Sequence, residues 1–237
     1  MIDTHCHLLP ALDDGPRDMN EAVELARQLD LAGVEVVLCT PHHSRLFPTT
    51  TAATRERLVA LRSELFAAEV PLRLLLAAEL SPAAAVSSPP GELVARSVGG
   101  FLLVELEPET PALFLQTLVE LLDAEGLRPI LAHPERCRAV REQPRLLDEA
   151  RAAGALVQVV APSLTGRWGG DVATAAWHLL EHGLVDLLAS DAHRARRNGT
   201  RLQRAVALVA ERRGEDALHE LTETGPARVV GRSLDPA

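Results

Sequence analysis

Seven short, mostly apolar runs recur along this chain, and a segment with helix-forming character separates each run from the next. Most of them are rich in Val, Leu and Ala, which is typical of strands covered on both faces. The runs are 2–6, 34–39, 72–78, 101–106, 128–132, 155–160 and 184–189. Because parallel strands need helical crossovers, this alternation predicts an α/β fold built on parallel strands.

The segments between the runs carry the signals of helix ends. Asp18 and Glu21 have the spacing of a capping box, apolar residues follow at helical intervals, and Gly33 ends the segment. Helices are predicted over 18–33, 51–69, 111–125, 144–153, 172–182, 200–213 and 216–223. A longer connection with one helical turn is predicted over 81–100, and a polar, glycine-bearing loop over 163–170. We find no internal repeat or linker, so residues 1–237 are predicted to form a single domain.

Imidazole and carboxylate side chains stand at or just past the carboxyl ends of these runs. They are His42, Glu79, Glu105, His133, Asp191 and His193. Glu105 is preferred to Glu107, because it lies deeper in its run and Glu107 precedes a proline. In a β/α barrel such ends converge on the face that holds the active site, whereas an open doubly wound sheet gathers them only near its switch point. The spread of these residues therefore favours a barrel.

The first run adds two more imidazoles. His5 and His7 are two residues apart, so on a strand they project from the same face. Asp13 and Asp14 follow in a Gly/Pro turn and offer hard oxygen ligands. Asp3, on the same face as His5 and His7, is predicted to hold an imidazole N–H. Two surface histidines near a chain end would show the same spacing. The matching residues downstream favour a shared metal site instead.

Nine candidate ligands of mixed imidazole and carboxylate type suit Mn, Fe or Zn rather than Ca or Mg. They exceed what one ion needs, so two or three divalent ions with shared carboxylates are predicted. Metal ions ~3.5–4 Å apart stabilise both the attacking and the leaving oxygen of an in-line phosphoryl transfer. A water that bridges such ions becomes hydroxide near neutral pH. Arg136, close after His133, is placed to grip phosphate oxygens. The pattern predicts metal-dependent phosphoester hydrolysis by attack of a bridging hydroxide on phosphorus.

Charge and composition argue against several other functions. The net charge of −9 disfavours a nucleic-acid partner, a polymerase-associated nuclease and an anionic membrane surface. All 24 basic residues are Arg, which excludes a lysine Schiff base and a Walker-type phosphate loop. No apolar run reaches the ~20 residues of a membrane span, and no signal-peptide pattern is expected at the N-terminus. Three cysteines without a C-x-x-C pair predict a cytoplasmic location.

A rival catalytic pattern is present at Cys39 and Arg45, which form C-x5-R, the minimal signature of cysteine-dependent tyrosine phosphatases. That phosphate loop works through successive backbone N–H donors. Pro41 removes one donor and no glycine relaxes the loop, so the pattern is disfavoured.

The motifs together resemble those of the polymerase-and-histidinol-phosphatase (PHP) superfamily. They are His5-Cys6-His7, Thr40-Pro41-His42-His43, Glu79, His133-Pro134-Glu135-Arg136 and Ser190-Asp191-Ala192-His193. Residues 1–15, 132–136 and 163–166 are also similar to the bacterial manganese-dependent protein-tyrosine phosphatases of capsule and exopolysaccharide loci. The resemblance covers nearly the whole chain and implies a seven-stranded, distorted TIM-like (β/α)7 barrel of the PHP type.

The resemblance further implies a trinuclear site and a substrate. The first ion would be held by His5, His7, Glu79 and Asp191, the second by Glu79, Glu105 and His133, and the third by Asp14, His42 and His193. Arg136 would bind phosphate. The substrate would be phosphotyrosine, typically on the tail of a bacterial tyrosine kinase that drives polysaccharide export. Cys137 stands where an aromatic residue commonly follows the arginine, and such an aromatic could help to receive a tyrosyl ring.

Two other functions remain open at this level. A small-molecule phosphatase, such as histidinol-phosphate phosphatase, would share the ligands, although the loops at 13–15 and 163–166 favour the protein phosphatases. A non-catalytic PHP binding module is the lesser alternative. His43 is the candidate general acid, although a tyrosinate leaving group with pKa ~10 needs less protonation than an alkoxide. Oligomeric state is not readable from the sequence.

Overall fold

The computed structural model describes residues 1–195 and 201–231. Its strands are β1 (Ile2–Cys6), β2 (Val36–Cys39), β3 (His42–His43), β4 (Arg73–Leu76), β5 (Glu79–Leu80), β6 (Phe101–Glu105), β7 (Arg128–Ala132), β8 (Leu156–Val160) and β9 (Leu187–Ala189). Each of the seven predicted runs contains a strand, and the α/β prediction is confirmed. The count of seven strands is not, because β2 and β4 each stop and resume after two residues as β3 and β5.

Helices fill the connections between the strands. They are α1 (Met19–Leu31), α2 (Thr51–Ala67), α3 (Pro82–Ser87), α4 (Pro90–Arg96), α5 (Ala112–Ala124), α6 (Arg138–Glu142), α7 (Leu146–Ala152), α8 (Ala161–Leu164), α9 (Gly170–Glu181), α10 (Arg201–Arg213), α11 (Glu215–His219) and α12 (Gly225–Val230). A 3-10 turn spans Pro134–Arg136 and a π-helical turn spans Glu220–Thr224. Among these described helices, none is long and apolar enough to cross a membrane.

The connection over 81–100 contains two helices, α3 and α4, where one helical turn is predicted. Proline is typical of loops, but Pro82 and Pro90 each occupy the first turn of a helix, where the missing N–H costs nothing. The connection predicted over 163–170 likewise begins inside α8. The predicted first residue of α10, Thr200, lies outside the described residues.

Helix α1 begins with half of the predicted capping box. The Asp18 carboxylate accepts a hydrogen bond from the Glu21 N–H at 2.9 Å, as the spacing predicts. The Glu21 carboxylate, however, accepts from the backbone N–H of Arg17 at 2.9 Å and from its guanidinium, rather than from the Asp18 N–H. The charged donor of Arg17 makes this the stronger arrangement.

All strand pairings are parallel, and they form two sheets ordered β1-β2-β4 and β3-β5-β6-β7-β8-β9. The sheets are joined where β2 leads into β3 and β4 into β5. At the opposite edge, the segment after β9 bonds to β1. The Asp191 N–H donates to the His5 carbonyl and the His7 N–H to the Ala192 carbonyl, both at 2.9 Å. The strands therefore surround a common interior, and their carboxyl ends open on one side.

Successive side chains of a strand pack into two different apolar cores. On β6, Leu103 belongs to a small cluster contributed largely by the strands, whereas Leu102 and Val104 belong to a large cluster shared with the helices. Because side chains alternate, Glu105 faces the same side as Leu103. The small cluster therefore lies beneath the carboxyl ends of the strands and supports the polar residues above it.

Candidate metal centre

The strand ends bring all nine predicted metal-binding residues into one cluster. Within each of four overlapping groups, the donor atoms lie within 4.8 Å of one another. The groups are His7, Asp14, His42 and His193; His5, Glu79 and His133; His5, His7 and Asp191; and His42, Glu79 and Glu105. Histidine and carboxylate donors this close together form a donor set suited to transition-metal ions.

Glu79 lies at the centre of this cluster and is 1% exposed. Its Oε1 is 2.9 Å from His133 Nε2. Its Oε2 is 3.0 Å from His42 Nδ1 and 3.3 Å from the Nε2 atoms of both His5 and His7. Among the described residues, no donor meets normal hydrogen-bond geometry to Oε2. One carboxylate thus faces four imidazoles and belongs to two of the four groups.

His5 and His7 present their Nε2 atoms to each other at 3.2 Å. Each ring is held from behind, His5 Nδ1 at 2.9 Å from Gln158 Oε1 and His7 Nδ1 at 2.7 Å from Asp13 Oδ2. The Gln158 amide is oriented by its own hydrogen bond to Thr4 Oγ1 at 2.8 Å. An imidazole that donates one N–H in this way offers its other nitrogen as a ligand.

The group around Asp14 is the most exposed part of the cluster, and the Asp14 side chain is 53% exposed. Its Oδ1 is 3.3 Å from His193 Nε2 and 3.6 Å from His42 Nε2. The His193 ring stacks on His7 with centroids 3.9 Å apart, and the His42 ring stacks on Phe47 at 5.5 Å. The cluster therefore opens to solvent on the Asp14 side.

Two cluster residues have left-handed backbone conformations, with φ of 37° at His133 and 47° at Asp191. Such conformations cost ~1–3 kcal/mol in non-glycine residues and concentrate at functional sites. Because Ala132 faces the small inner cluster, an extended His133 would face the helices. The left-handed turn reverses that direction and brings its Nε2 to Glu79.

Neighbouring carboxylates raise the pKa values of three imidazoles in the cluster. Burial alone would lower the pKa of His5, but Glu79 and then Asp191 outweigh it and raise the pKa to about 9. Against the same effect of burial, Glu79 raises the pKa of His42 to about 9. Carboxylate neighbours likewise outweigh burial and raise the pKa of His193 to about 9. At neutral pH these rings are cations in the metal-free protein.

Glu105, rather than Glu107, is the carboxylate that joins the cluster. Glu105 belongs to the group with His42 and Glu79, whereas Glu107 is exposed. Burial and the nearby negative charge of Glu79 raise the pKa of Glu105. A carboxylate in this position is stabilised when a cation approaches it.

The prediction for Asp3 is wrong. Its Oδ1 accepts hydrogen bonds from the backbone N–H groups of Ser190 at 2.9 Å and His5 at 3.3 Å, and so ties β1 to the end of β9. The imidazole N–H groups are held by Asp13 and Gln158 instead. Asp13 carried a signal, since it adjoins Asp14, but a single glutamine within an apolar run carried none.

Arg136, the predicted phosphate ligand, lies at the edge of the cluster. It ends the 3-10 turn that follows His133, and its positive charge lowers the pKa of Glu105 against the larger effect of burial. Its guanidinium carbon lies 4.9 Å from the centroid of the Trp168 ring.

His43, the predicted general acid, lies outside the four groups. Its neighbour on β3, His42, faces the cluster, and alternation turns His43 the other way. Its Nε2 is 3.7 Å from Glu92 Oε1, and burial together with the Arg96 charge lowers its pKa. Its proposed role in catalysis stays a prediction.

The rival C-x5-R site does not have the geometry of a nucleophile. Cys39 is fully buried in the core, and burial raises the pKa of its thiol. Arg45 is exposed. Cysteine phosphatases need an accessible thiolate, so this pattern has no catalytic role here.

The comparison with protein families decides the identity of the chain. The family model described as capsular polysaccharide synthesis, CpsB/CapC, matches residues 1–231. This chain belongs to the CpsB/CapC family. The similarity to capsule-locus phosphatases predicted from the sequence motifs is therefore confirmed.

Two members of the CpsB/CapC family illustrate how far the similarity extends. Tyrosine-protein phosphatase YwqE of Bacillus subtilis strain 168 is 31% identical over 226 residues, which cover 94% of this chain and 89% of YwqE. Tyrosine-protein phosphatase CpsB of Streptococcus pneumoniae is 25% identical over 240 residues, which cover 97% of this chain and 98% of CpsB.

Solved structures show the same relationship. A chain from the crystal structures of YwqE and CpsB, which are described as metal-dependent tyrosine phosphatases, has a TM-score of 0.84 and 30% identity to this CpsB/CapC-family protein. The match covers 97% of this chain and 94% of that chain. Dihydropyrimidinase from Brevibacillus agri, with a TM-score of 0.62 and 12% identity, shares the fold alone.

Proposed function

We propose that this CpsB/CapC-family protein is a metal-dependent protein-tyrosine phosphatase. The observation that carries the proposal is the buried Glu79 carboxylate facing four imidazoles, with Arg136 at the edge of the same cluster. This arrangement provides ligands for metal ions and a cation for phosphate. The tyrosine phosphatases YwqE and CpsB, which match over most of the chain, support phosphotyrosine as the substrate.

The donor geometry fits divalent ions. Two ligands each about 2.1 Å from one ion lie about 3.0–3.4 Å from each other. That is the separation of Glu79 Oε2 from the Nε2 atoms of His5 and His7, 3.3 Å in each case. Mixed nitrogen and oxygen donors suit Mn, with Fe or Zn as alternatives. When bound, such ions generate hydroxide from water near neutral pH and neutralise charge on the phosphoryl group.

We assign the residues to three ions as the family resemblance implies. The first is held by His5, His7, Glu79 and Asp191, the second by Glu79, Glu105 and His133, and the third by Asp14, His42 and His193. The group of His5, His7 and Asp191 and the group of Asp14, His42 and His193 with His7 support the first and third sets, whereas Glu105 and His133 fall in two separate groups that share Glu79.

Two further residues complete the proposed machinery. Arg136 binds the equatorial oxygens of the phosphate and compensates their charge. His43 is assigned as general acid, although its ring faces away from the cluster with Nε2 3.7 Å from Glu92 Oε1, and burial together with the Arg96 charge lowers its pKa. Because tyrosinate leaves readily, His43 is expected to contribute less than the metal ligands do.

The biological setting of the proposal follows from the CpsB/CapC family. We infer that the substrate is the phosphorylated tail of a bacterial tyrosine kinase of polysaccharide export, reached in the cytoplasm. We also infer that residues 1–237 form one domain, in which β2 with β3 and β4 with β5 act as single strands of a seven-stranded barrel. The backbone bonds between β1 and the end of β9 support closure.

Chelation tests the proposed function directly. We expect the Mn-loaded protein to hydrolyse a phosphotyrosine peptide faster than a phosphoserine peptide or histidinol phosphate, because both relatives are tyrosine phosphatases. EDTA should abolish all three activities, and added Mn²⁺ should restore them. Steady-state phosphate release measures each rate. A preference for histidinol phosphate would contradict phosphotyrosine as the substrate but would remain consistent with metal-dependent phosphate hydrolysis. Activity that resists EDTA would contradict the metal-dependent mechanism.

Metal binding is expected to release protons at neutral pH. Metal ligation requires neutral imidazole, whereas the pKa values of His5, His42 and His193 are raised to about 9. The ion pairs of these rings stabilise the metal-free protein below pH 6.5, and that stability is lost as pH rises through about 9. Mn²⁺ affinity should therefore increase with pH. Calorimetric titration in two buffers of different ionisation enthalpy measures the protons released, and a value near zero at pH 7 would contradict the prediction.

A further inference from the structure

Trp168 is a large aromatic side chain that the proposed catalytic machinery does not use, although it lies beside the metal centre. It lines a cavity of about 350 Å³ together with Asp14, Asp191 and His193 of the cluster. Its side chain is 42% exposed, in contrast to Trp177, which is 9% exposed. An exposed indole next to a polar cluster is well suited to contact an aromatic ligand.

The turn that carries Trp168 holds it at this position. It follows β8 and α8, and the Arg167 N–H donates to the Pro162 carbonyl at 2.9 Å. Gly166 and Gly169, on either side, have φ of 77° and 96°, which only glycine adopts readily. None of the nine predicted ligand residues follows β8, so the end of this strand contributes an aromatic side chain to the cluster instead.

Two guanidinium groups flank the Trp168 ring. Arg136 and Arg167 place their guanidinium carbons 4.9 Å and 5.0 Å from its centroid. Cation–π contacts of this kind orient the ring and keep positive charge next to it. A ligand that joins an aromatic ring to a dianionic phosphate matches this pairing of a flat apolar surface with cations.

The other aromatic residue near the cluster is less suitable. Phe47 stacks on His42, one of the nine ligand residues, with an angle of 9° between the ring planes. The cavity on that side, of about 740 Å³, contains the carboxylates of Glu105 and Glu107. The cavity at Trp168 also contains two carboxylates, Asp14 and Asp191, but it is lined by Arg167, Arg194 and Arg201, whereas the cavity at Phe47 is lined by one arginine, Arg45.

We propose that Trp168 is the specificity-determining platform for the aromatic ring of phosphotyrosine, placed so that the phosphate lies between Arg136 and the metal-binding cluster. This inference rests on the proposed phosphatase function and assigns its preference for aryl over alkyl phosphates to one residue. It also supplies, from the loop after β8, the aromatic contact that Cys137 cannot make. Cys137 is itself buried, with its Sγ 3.4 Å from the Thr110 carbonyl oxygen.

The kinetic test compares phenyl phosphate with an alkyl phosphate such as propyl phosphate on the Mn-loaded protein. Trp168→Ala should lower kcat/KM for phenyl phosphate about tenfold, mainly through KM, and leave propyl phosphate within about twofold. Trp168→Phe should restore most of the loss, because it keeps an aromatic face. Phe66→Ala, which removes an aromatic side chain that is 88% exposed on α2, is the matched control and should change neither rate.

The outcomes separate the two proposals. If Trp168→Ala lowers kcat/KM equally for phenyl and propyl phosphate, the ring only holds Arg136 in place and the platform proposal is wrong. The proposal is also wrong if Trp168→Ala does not lower kcat/KM for phenyl phosphate. If the wild-type protein hydrolyses propyl but not phenyl phosphate, the proposed tyrosine phosphatase function fails and the platform fails with it. Circular dichroism of each variant verifies folding, which an exposed position should not disturb.

Fluorescence gives a readout that does not depend on turnover. The chain has two tryptophans and no tyrosine, so emission reports on Trp168 and Trp177 alone. Phenylphosphonate, which cannot be hydrolysed at its C–P bond, should quench wild-type emission more than methylphosphonate does. Trp168→Phe should abolish that difference. Equal quenching by the two phosphonates would overturn the proposal.

Discussion

Replacing Glu79 with glutamine is expected to abolish catalysis and metal binding together. The substitution keeps the size of the side chain but removes the charge that faces four imidazoles at 2.9–3.3 Å. A bound metal ion stabilises charge in the transition state by several kcal/mol, and ~4 kcal/mol corresponds to about a thousandfold in rate. We expect kcat/KM for a phosphotyrosine peptide to fall by about that factor or more. Metal analysis of the purified variant should show loss of bound Mn.

Glu107→Gln is the matched control for this experiment. Glu107 is an exposed carboxylate in the same cavity wall as Glu105, but it belongs to none of the four groups of donors found among the described residues. The same change of charge there should leave metal content unaltered and activity within about twofold. A Glu79→Gln variant that keeps its metal and more than about a tenth of its activity would show that Glu79 is not a shared ligand.

Gly15→Ala is expected to disturb the support of His7. A methyl group at Gly15 would lie 2.4 Å from the His7 carbonyl oxygen and 2.9 Å from Asp13 Oδ1. Overpacking of this kind costs ~1–3 kcal/mol, and the backbone oxygen cannot rotate away. Because Asp13 orients the His7 ring, Mn²⁺ affinity should fall about 10- to 100-fold. Urea unfolding of the metal-free protein and Mn²⁺ titration measure the two effects.

Gly91→Ala provides the same substitution in open space. It lies in α4, and an added methyl group there meets nothing within 4 Å. Alanine is favoured over glycine within a helix by ~0.5–1 kcal/mol, so this variant should be as stable as the wild type or slightly more. If Gly15→Ala behaves like Gly91→Ala, the close approach at Gly15 does not constrain the site.

The strands and most helices could be predicted from the sequence because their signals are local. Apolar runs such as 101–106, which contains β6, and cap residues such as Asp18 act over a few neighbours. The sequence does not predict the two short strands β3 and β5, which lie just past the runs that contain β2 and β4. Their formation depends on pairing, since β2 pairs with β1 and β4, whereas β3 pairs with β5 alone. Pairing partners lie tens of residues away and leave no local pattern.

The sequence predicts those residues of the candidate site whose side-chain type by itself indicates metal binding. Histidines and carboxylates at strand ends are informative because few other roles require them there. Gln158 and Trp168 were missed because their roles arise only from what they face, the His5 ring in one case and a cavity beside the cluster in the other. Asp3 bonds to backbone N–H groups of Ser190 and His5 rather than to an imidazole, because its partner is set by the pairing of β1 with the end of β9, which no local pattern reveals.

The sequence by itself determined which donors this protein can offer to a metal and at which strand ends they stand, because side-chain alternation is a local rule. Only the tertiary structure decided how those donors are grouped. The left-handed conformation of His133 reverses the direction that alternation predicts, and the bonds between β1 and the end of β9 set His5 and His7 against Asp191. Both features depend on contacts between distant segments, which become fixed only when the strands close around one interior.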